Sequence, residues 1–233
     1  MKTLKRIDKI CSAVSFVASL FDRKIVVADI GTDHGFVAEK VSKFDSVEKV
    51  IATDISEKSL NKLNTLIKRR NLKKIETRVG DGLEPIEKVD VAVIAGIGGL
   101  EISKIIKKQN KTDLGEKKCN IFALCPAQNI VELRKWVISK KYKILKDTIF
   151  EDNEQFYSIL IIDVSQVEIN KKSIYNYYIG RDAIECKQEF DKFILYLDGY
   201  LSFLDSISEE RIKQDDVLFQ KYKLKKLITK LKK

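Results

Sequence analysis

Four aspartates and a single histidine carry most of the chemistry this sequence can offer. Asp29, Asp33 and His34 lie in "VVADIGTDHGF" (Val26 to Phe36), Asp54 ends "KVIATD", and Asp81 sits in "GDGLEPI". A dinucleotide site needs G-x-G-x-x-G, with the pyrophosphate resting on a helix N-terminus. Here the turn reads D-I-G-T-D-H-G, and Asp33 puts negative charge where a phosphate would lie. The sequence also lacks G-x-x-x-x-G-K-[ST], which excludes the Walker-type phosphate loop. Carboxylates suit a cationic ligand instead. S-adenosylmethionine, with a sulfonium, an ammonium and no phosphate, fits this set. Asp29 is expected to hold the ammonium, directly or through water. Asp54 is expected to accept from the ribose hydroxyls and Asp81 from the adenine amino group. Any one of these aspartates would serve equally well as a cap or turn former; all three after consecutive strands favour a cofactor site.

The elements that must position these residues alternate. An amphipathic N-terminal helix is followed by strand-like "KIVVADI", a helix over 36–44, strand "KVIATDI", and a helix to about Arg70 with Ser56 as N-cap. "KIETRV" and "VDVAVIAG" come next, the latter almost continuously apolar, as in a parallel strand covered on both faces. A helix over 100–108, "NIFALC" and a helix over 128–140, with Leu133, Trp136 and Val137 on one face, complete the alternation. "YKILKDTIFE" and "QFYSILIIDV" are only three residues apart, which permits a hairpin but no crossover. Five strands joined by helical crossovers and closed by an antiparallel pair predict an α/β, Rossmann-like class I methyltransferase sheet of seven strands. Glycines at 31, 35, 80, 82, 96, 98 and 99 follow the first, third and fourth strands, at the edge where open α/β sheets bind ligands. Gly31, Thr32, Gly35, Ile55, Gly80, Gly82, Ala95 and Gly96 are therefore expected around the cofactor.

Composition narrows the partners. With 233 residues the chain can bury a substantial core, and 44% hydrophobic with 33% charged residues is ordinary for a globular protein. The formal net charge of +10 is not ordinary. Lysine and arginine cluster at 68–74, at 107–111 and beyond Leu218, where seven lysines occur without an acid. Each cluster alone fits a solvated helix face; together they favour a nucleic acid. Cys11, Cys119, Cys125 and Cys186 are scattered, and one histidine leaves too few soft ligands for zinc, so no metal is expected. Cys119 and Cys125, read as lying in an apolar strand, are expected to pack in the core; a reduced cytoplasmic setting and no membrane span are expected, the charged N-terminus being unlike a signal peptide.

"ADIGTDHGF", "GDGLEPI" and "IAGIGG", in this order and spacing, resemble the bacterial tRNA (adenine-22-N1)-methyltransferases, the TrmK family. The likeness spans roughly 4–164. It implies a methyltransferase domain over 1–164, a helical coiled-coil domain over 165–233, and transfer of a methyl group from S-adenosylmethionine to N1 of adenine 22 in tRNA. Two departures stand out. "LCPAQN" replaces the usual L-x-P-N and moves the asparagine from directly after Pro126 to Asn129; Gly35-Phe36 replaces the frequent alanine-tyrosine.

The N1 lone pair lies in the ring plane and needs no deprotonation, so the step asks for stabilisation of a developing cation, not for a strong base. A fixed carboxylate provides that. Asp33 is the candidate catalytic group, with a plain helix N-cap as the alternative; His34 beside it is expected to orient Asp33 or contact tRNA, with a satisfied turn histidine as the alternative. "AGIGG" lacks the asparagine and aromatic of amino-group methyltransferases. Gly98, Gly99, Pro126 and Asn129 are expected to cradle a flipped base, with close packing as the alternative for Gly99. In the tail, Phe190, Ile194, Leu197, Leu201 and Leu204 show 4-3-4-3 spacing, continued by Leu224, Leu227 and Leu231. Two antiparallel helices turning near 206–216 are expected, in a monomer, with dimerisation as the alternative. The lysine-rich second helix is expected along the tRNA backbone. Rival functions are a class I methyltransferase with another RNA, protein or small-molecule acceptor, and a non-catalytic RNA-binding module.

Overall fold

The computed structural model describes residues 5–108, 117–185 and 187–232. Cys186 and the end of the lysine cluster at 107–111 fall outside them. Seven strands form one sheet in the order β3-β2-β1-β4-β5-β7-β6. β1 (Ile25–Ile30), β2 (Val47–Asp54), β3 (Ile75–Val79), β4 (Val91–Ala95) and β5 (Ile121–Cys125) run parallel. β7 (Gln155–Val167) is antiparallel to β5 and to the edge strand β6 (Tyr142–Asp152). This is the seven-stranded, Rossmann-like methyltransferase topology that the element order predicts.

Helices cover both faces of the sheet. α1 (Lys5–Ala18) turns Ile10, Val14 and Val17 inward, on the side that also holds α2 (Phe36–Val41) and α3 (Glu57–Arg70). α4 (Gly99–Lys108) and α5 (Ile130–Ser139) bury Ile102, Ile106, Leu133 and Val137 on the other. β4 and β5, buried along nearly their whole length, are the continuous apolar runs expected of strands covered twice. Cys119 precedes β5 instead of lying in it; it and Cys125 are buried, and desolvation pushes both thiols upward, Cys125 to about 12.

One crossover differs from the expectation. The chain from β3 to β4, residues 80–90, contains no helix. Gly80, Gly82 and Pro85 disfavour one, and Leu83, Ile86 and Val89 bury themselves directly on the core.

The β6–β7 hairpin projects beyond the sheet. Leu124 of β5 pairs with Leu160, whereas the β6–β7 ladder continues out to Asp152 and Gln155. Its two-residue turn, Asn153-Glu154, has φ of 51° and 62°, the left-handed pair that matches strand twist in a tight hairpin. After β7 come α6 (Ile174–Tyr178), α7 (Lys187–Tyr200), a short 3₁₀ turn over Ser202–Ser206, α8 (Glu209–Gln214) and α9 (Asp216–Leu231). α7 and α9 pack together through Ile194, Leu197, Leu201, Leu224 and Ile228, forming a third apolar cluster that also takes in Ile149 of β6. Among the expected seam positions, Leu227 and Leu231 are only partly buried; Ile228 takes the inner place. The expected turn region near 206–216 contains α8.

A buried ion pair ties this tail to the sheet. Arg134 of α5 donates to Asp147 of β6 from Nη2 at 2.8 Å and from Nε at 3.0 and 3.2 Å, and its Nη2 also reaches Ser158 Oγ at 3.0 Å. Its Nη1 donates to the carbonyls of Tyr177 and Tyr178. Asp147 accepts from the Arg181 N–H, and its own N–H donates to Asp182. Gly180, at φ 105°, makes this possible, because a Cβ there would come within 2.6 Å of Arg134 Nη2.

Candidate active site

The carboxyl ends of β1 and β2 build the centre of the site. Gly31 and Thr32 donate their N–H groups to the Thr53 carbonyl at 2.8 and 3.1 Å, locking the turn after β1 onto β2. Asp29 is buried beneath that turn. Its Oδ2 accepts from Thr32 Oγ1 at 2.7 Å and from the Ala38 N–H, in the first turn of α2, at 3.2 Å. Both bonds fall on one oxygen, which leaves Oδ1 for a ligand. Desolvation pushes the Asp29 carboxyl up to about 6; those two hydrogen bonds oppose the shift and the nearby Asp54 charge adds to it.

Asp54 bridges two turns. Its Oδ1 accepts from the Ser56 N–H at 2.8 Å and its Oδ2 from the Asp33 N–H at 3.3 Å. Ser56 caps α3 as expected, accepting from Ser59 N–H. Ile55, beside Asp54, is 76% exposed, a large apolar side chain presented at the same edge.

The helix-cap alternative for Asp33 does not fit the geometry. The cap position of α2 is Gly35, at φ 70°, and the side chain that serves the helix start is Asp29. Asp33 has φ 40°, and its carboxylate stands in solvent with Oδ2 3.4 Å from His34 Nε2. The His34 ring in turn lies 5.6 Å from that of Phe36, which is half exposed at the start of α2. Phe36 is the functional candidate that sequence reasoning noted only as a departure. Its signal was a large aromatic one residue after the turn glycine.

The glycines divide into two groups. A Cβ on Gly31 or Gly96 would meet no atom within 4 Å, so nothing in the packing excludes a side chain there. Both have positive φ and flank the centre of the edge. By contrast Gly35 abuts Leu63, Gly80 abuts Pro85, Gly82 abuts Ile105, and Gly99 lies against the Asn129 carbonyl, where a Cβ would come to 2.3 Å. Gly99 is buried and donates to the Gln128 carbonyl at 2.9 Å, so close packing accounts for it. Thr32 likewise serves the turn internally.

The remaining predicted positions are spread along the edge. Ala95 ends β4, and Gly98 bridges to Gln128. Pro126 is buried; Asn129 is exposed at φ 60° as the first residue before α5, with no side-chain cap bond. Asp81 is exposed, and its carboxylate pairs with Lys108 Nζ at 2.8 Å, so it is directed toward the end of α4. Among the described residues, no group of three or more His, Cys, Asp or Glu is placed to hold a metal ion, and no helix is long and apolar enough to cross a membrane.

Comparisons with known proteins agree with this fold. A family described as a methyltransferase domain matches residues 10–160. MG248 of Mycoplasma genitalium is 30% identical over 156 residues, 65% of this chain and 67% of that protein. The tRNA (adenine(22)-N(1))-methyltransferase of Bacillus subtilis is 27% identical over 158 residues, 66% of this chain and 65% of that enzyme. The matched stretches thus span about two thirds of these relatives' own lengths. The fold is shared more widely: the structure of M. capricolum TrmK with S-adenosyl-homocysteine superposes with a TM-score of 0.72 at 23% identity, covering 93% of this chain and 96% of that one. With more than half of its length, and the whole edge from Asp29 to Asn129, inside the matched region, the chain belongs to the methyltransferase domain family.

Proposed function

We propose that the chain transfers a methyl group from S-adenosylmethionine to N1 of adenine 22 in tRNA, acting as a monomer in the cytoplasm. One observation supports this above the others: the carboxylate of Asp54 holds the Asp33 backbone, so the residue assigned to the cofactor ribose also fixes the acid assigned to the base. The nucleotide and its position come from the name of the Bacillus subtilis relative.

The residues fit the cofactor. Asp29 Oδ1 is a buried anionic acceptor for an ammonium, and the open space at Gly31 and Gly96 leaves room for a ligand against the backbone. Ile55 offers an apolar face for adenine, and Asp54 retains lone pairs for ribose hydroxyls. Asp81 would reach the adenine amino group by exchanging its bond to Lys108. When bound, S-adenosylmethionine supplies an electrophilic methyl group on sulfonium.

Asp33 then does what an exposed but backbone-anchored carboxylate can do. It stabilises the positive charge that appears on the purine as N1 is alkylated, or orients the base through its amino group. His34 positions that carboxylate. Gly98 and Asn129 line the approach of the base beyond β4 and β5, and the helices beyond about residue 183 form the unit that holds the rest of the tRNA.

Incubating unmodified tRNA with labelled S-adenosylmethionine and analysing the nucleosides tests this. The expected product is 1-methyladenosine at position 22. Label in another nucleoside would move the function to a different RNA methyltransferase, and label in no RNA would sink the proposal.

A further inference from the structure

The tail is expected to meet RNA through lysines, and the structure gives several of them partners within the chain. Lys225 pairs with Asp205, and Lys232 with Asp198 at 2.6 Å. Lys223 lies over the Phe219 ring at 4.1 Å and Lys226 over Tyr222 at 4.5 Å. From 187 to 232 there are ten basic and eight acidic residues, so this region carries little of the chain's net +10.

The tail exposes rings instead. Tyr196, Tyr200 and Phe203 recur at i, i+4 and i+7, and are 51%, 55% and 40% exposed. Tyr196 and Tyr200, four apart in α7, share a face, and Phe203, in the 3₁₀ turn that follows, is joined to Tyr200 through Lys221. Lys221 closes the row, its Nζ 5.3 Å from the centroids of both Tyr200 and Phe203 and 3.3 Å from the Tyr200 hydroxyl. At the other end, Tyr196 meets Phe156 at 5.2 Å. Phe156 belongs to the projecting β6–β7 hairpin, beyond the carboxyl end of β5. The row therefore starts at the substrate side of the sheet edge and leads outward.

We propose that Tyr196, Tyr200 and Phe203 form a stacking surface for unpaired bases of the RNA substrate. The proposal rests on the reading of the chain as a tRNA methyltransferase. Exposed rings interleaved with a lysine suit an RNA: each base offers a face to a ring, while Lys221 stays close enough to meet a phosphate. A purely apolar partner would leave Lys221 desolvated without an anion.

The test uses the full chain carrying Tyr196→Leu, Tyr200→Leu and Phe203→Leu together, which keeps apolar bulk and removes the rings. Titration with labelled unmodified tRNA should show binding weakened on the order of 10- to 100-fold. The slope of log affinity against log salt and the affinity for S-adenosylmethionine should stay unchanged. A single-stranded oligoadenylate should compete with tRNA for the wild-type chain far better than a duplex of equal charge. tRNA affinity within twofold of wild type would overturn the proposal. So would a slope reduced by about one unit per lost phosphate contact, or a wild-type dimer that these substitutions dissociate. If wild type binds neither tRNA nor the oligoadenylate, the surface is not an RNA site. Ring-dependent tRNA binding without any methylation would refute the enzymatic reading and leave the stacking surface standing.

Discussion

Asp33 occupies left-handed backbone space, which changes how its role must be tested. Asparagine tolerates that conformation, whereas alanine adds strain of roughly 1–2 kcal/mol. Asp33→Asn therefore isolates charge. If electrostatic stabilisation dominates, single-turnover methylation in that variant should fall by about 10²–10³, with cofactor affinity nearly intact. Rates close to wild type would mean that orientation suffices. Asp29 makes a prediction in pH. Its folded carboxyl sits at about 6, above the ordinary 3.8. Its contribution to the cofactor-free fold is full below pH 3.8 and is lost as pH rises to about 6, a penalty of about 3 kcal/mol above that range. Asp29→Asn keeps an acceptor for Thr32 and Ala38 without the charge. Urea unfolding should show it gaining stability relative to wild type between pH 4 and pH 7. Binding runs the other way: wild-type affinity for S-adenosylmethionine should rise with pH through about 6, and the variant should show no such rise in calorimetry.

At the scale of elements, α5 links the site to the tail. Its first turn rests on Gly99 and its second holds the Arg134–Asp147 pair. Gly99→Ala forces a methyl against the Asn129 carbonyl and should cost about 1–3 kcal/mol in unfolding experiments. Arg134→Met leaves Asp147 buried and unpaired and should cost about 3–5 kcal/mol, much of it recovered by adding Asp147→Leu. The order of strands and helices was legible in the sequence because period and turn residues are local signals; "VDVAVIAG" already reads as a doubly covered strand, and the three-residue gap after "YKILKDTIFE" as a hairpin. The acids at strand ends were legible for the same reason. What those acids bond to was not. Asp29, rather than Asp33, serves α2 because the turn at Gly31 folds back under the helix, a contact nine residues apart. Likewise Gly99 looked like a ligand glycine because its neighbour, the Asn129 carbonyl, is thirty residues away. Lys108 drawing Asp81 toward α4 could not be seen without the fold.

For the whole molecule, the boundary expected after residue 164 needs revision as a place to cut. β7 runs on to Val167, and residues 177–182 satisfy Arg134 and Asp147 inside the sheet domain. A chain ending at residue 164 should unfold at markedly lower urea than one ending at residue 183. The longer chain should keep S-adenosylmethionine binding and lose most tRNA affinity. Equal stability of the two would show that the buried pair is satisfied without its covering segment.

That covering segment also bears on how the protein is made. β6 is an open sheet edge, and its guard is the last part of the domain to leave the ribosome. Until the chain reaches about residue 182, a nascent molecule carries an unshielded strand and a half-partnered arginine in otherwise finished surroundings. Translation that pauses before that point should yield chains dependent on chaperones, and pausing after it should not. Slower synonymous codons read while 165–182 is still inside the ribosome would then lower soluble yield without altering a single residue.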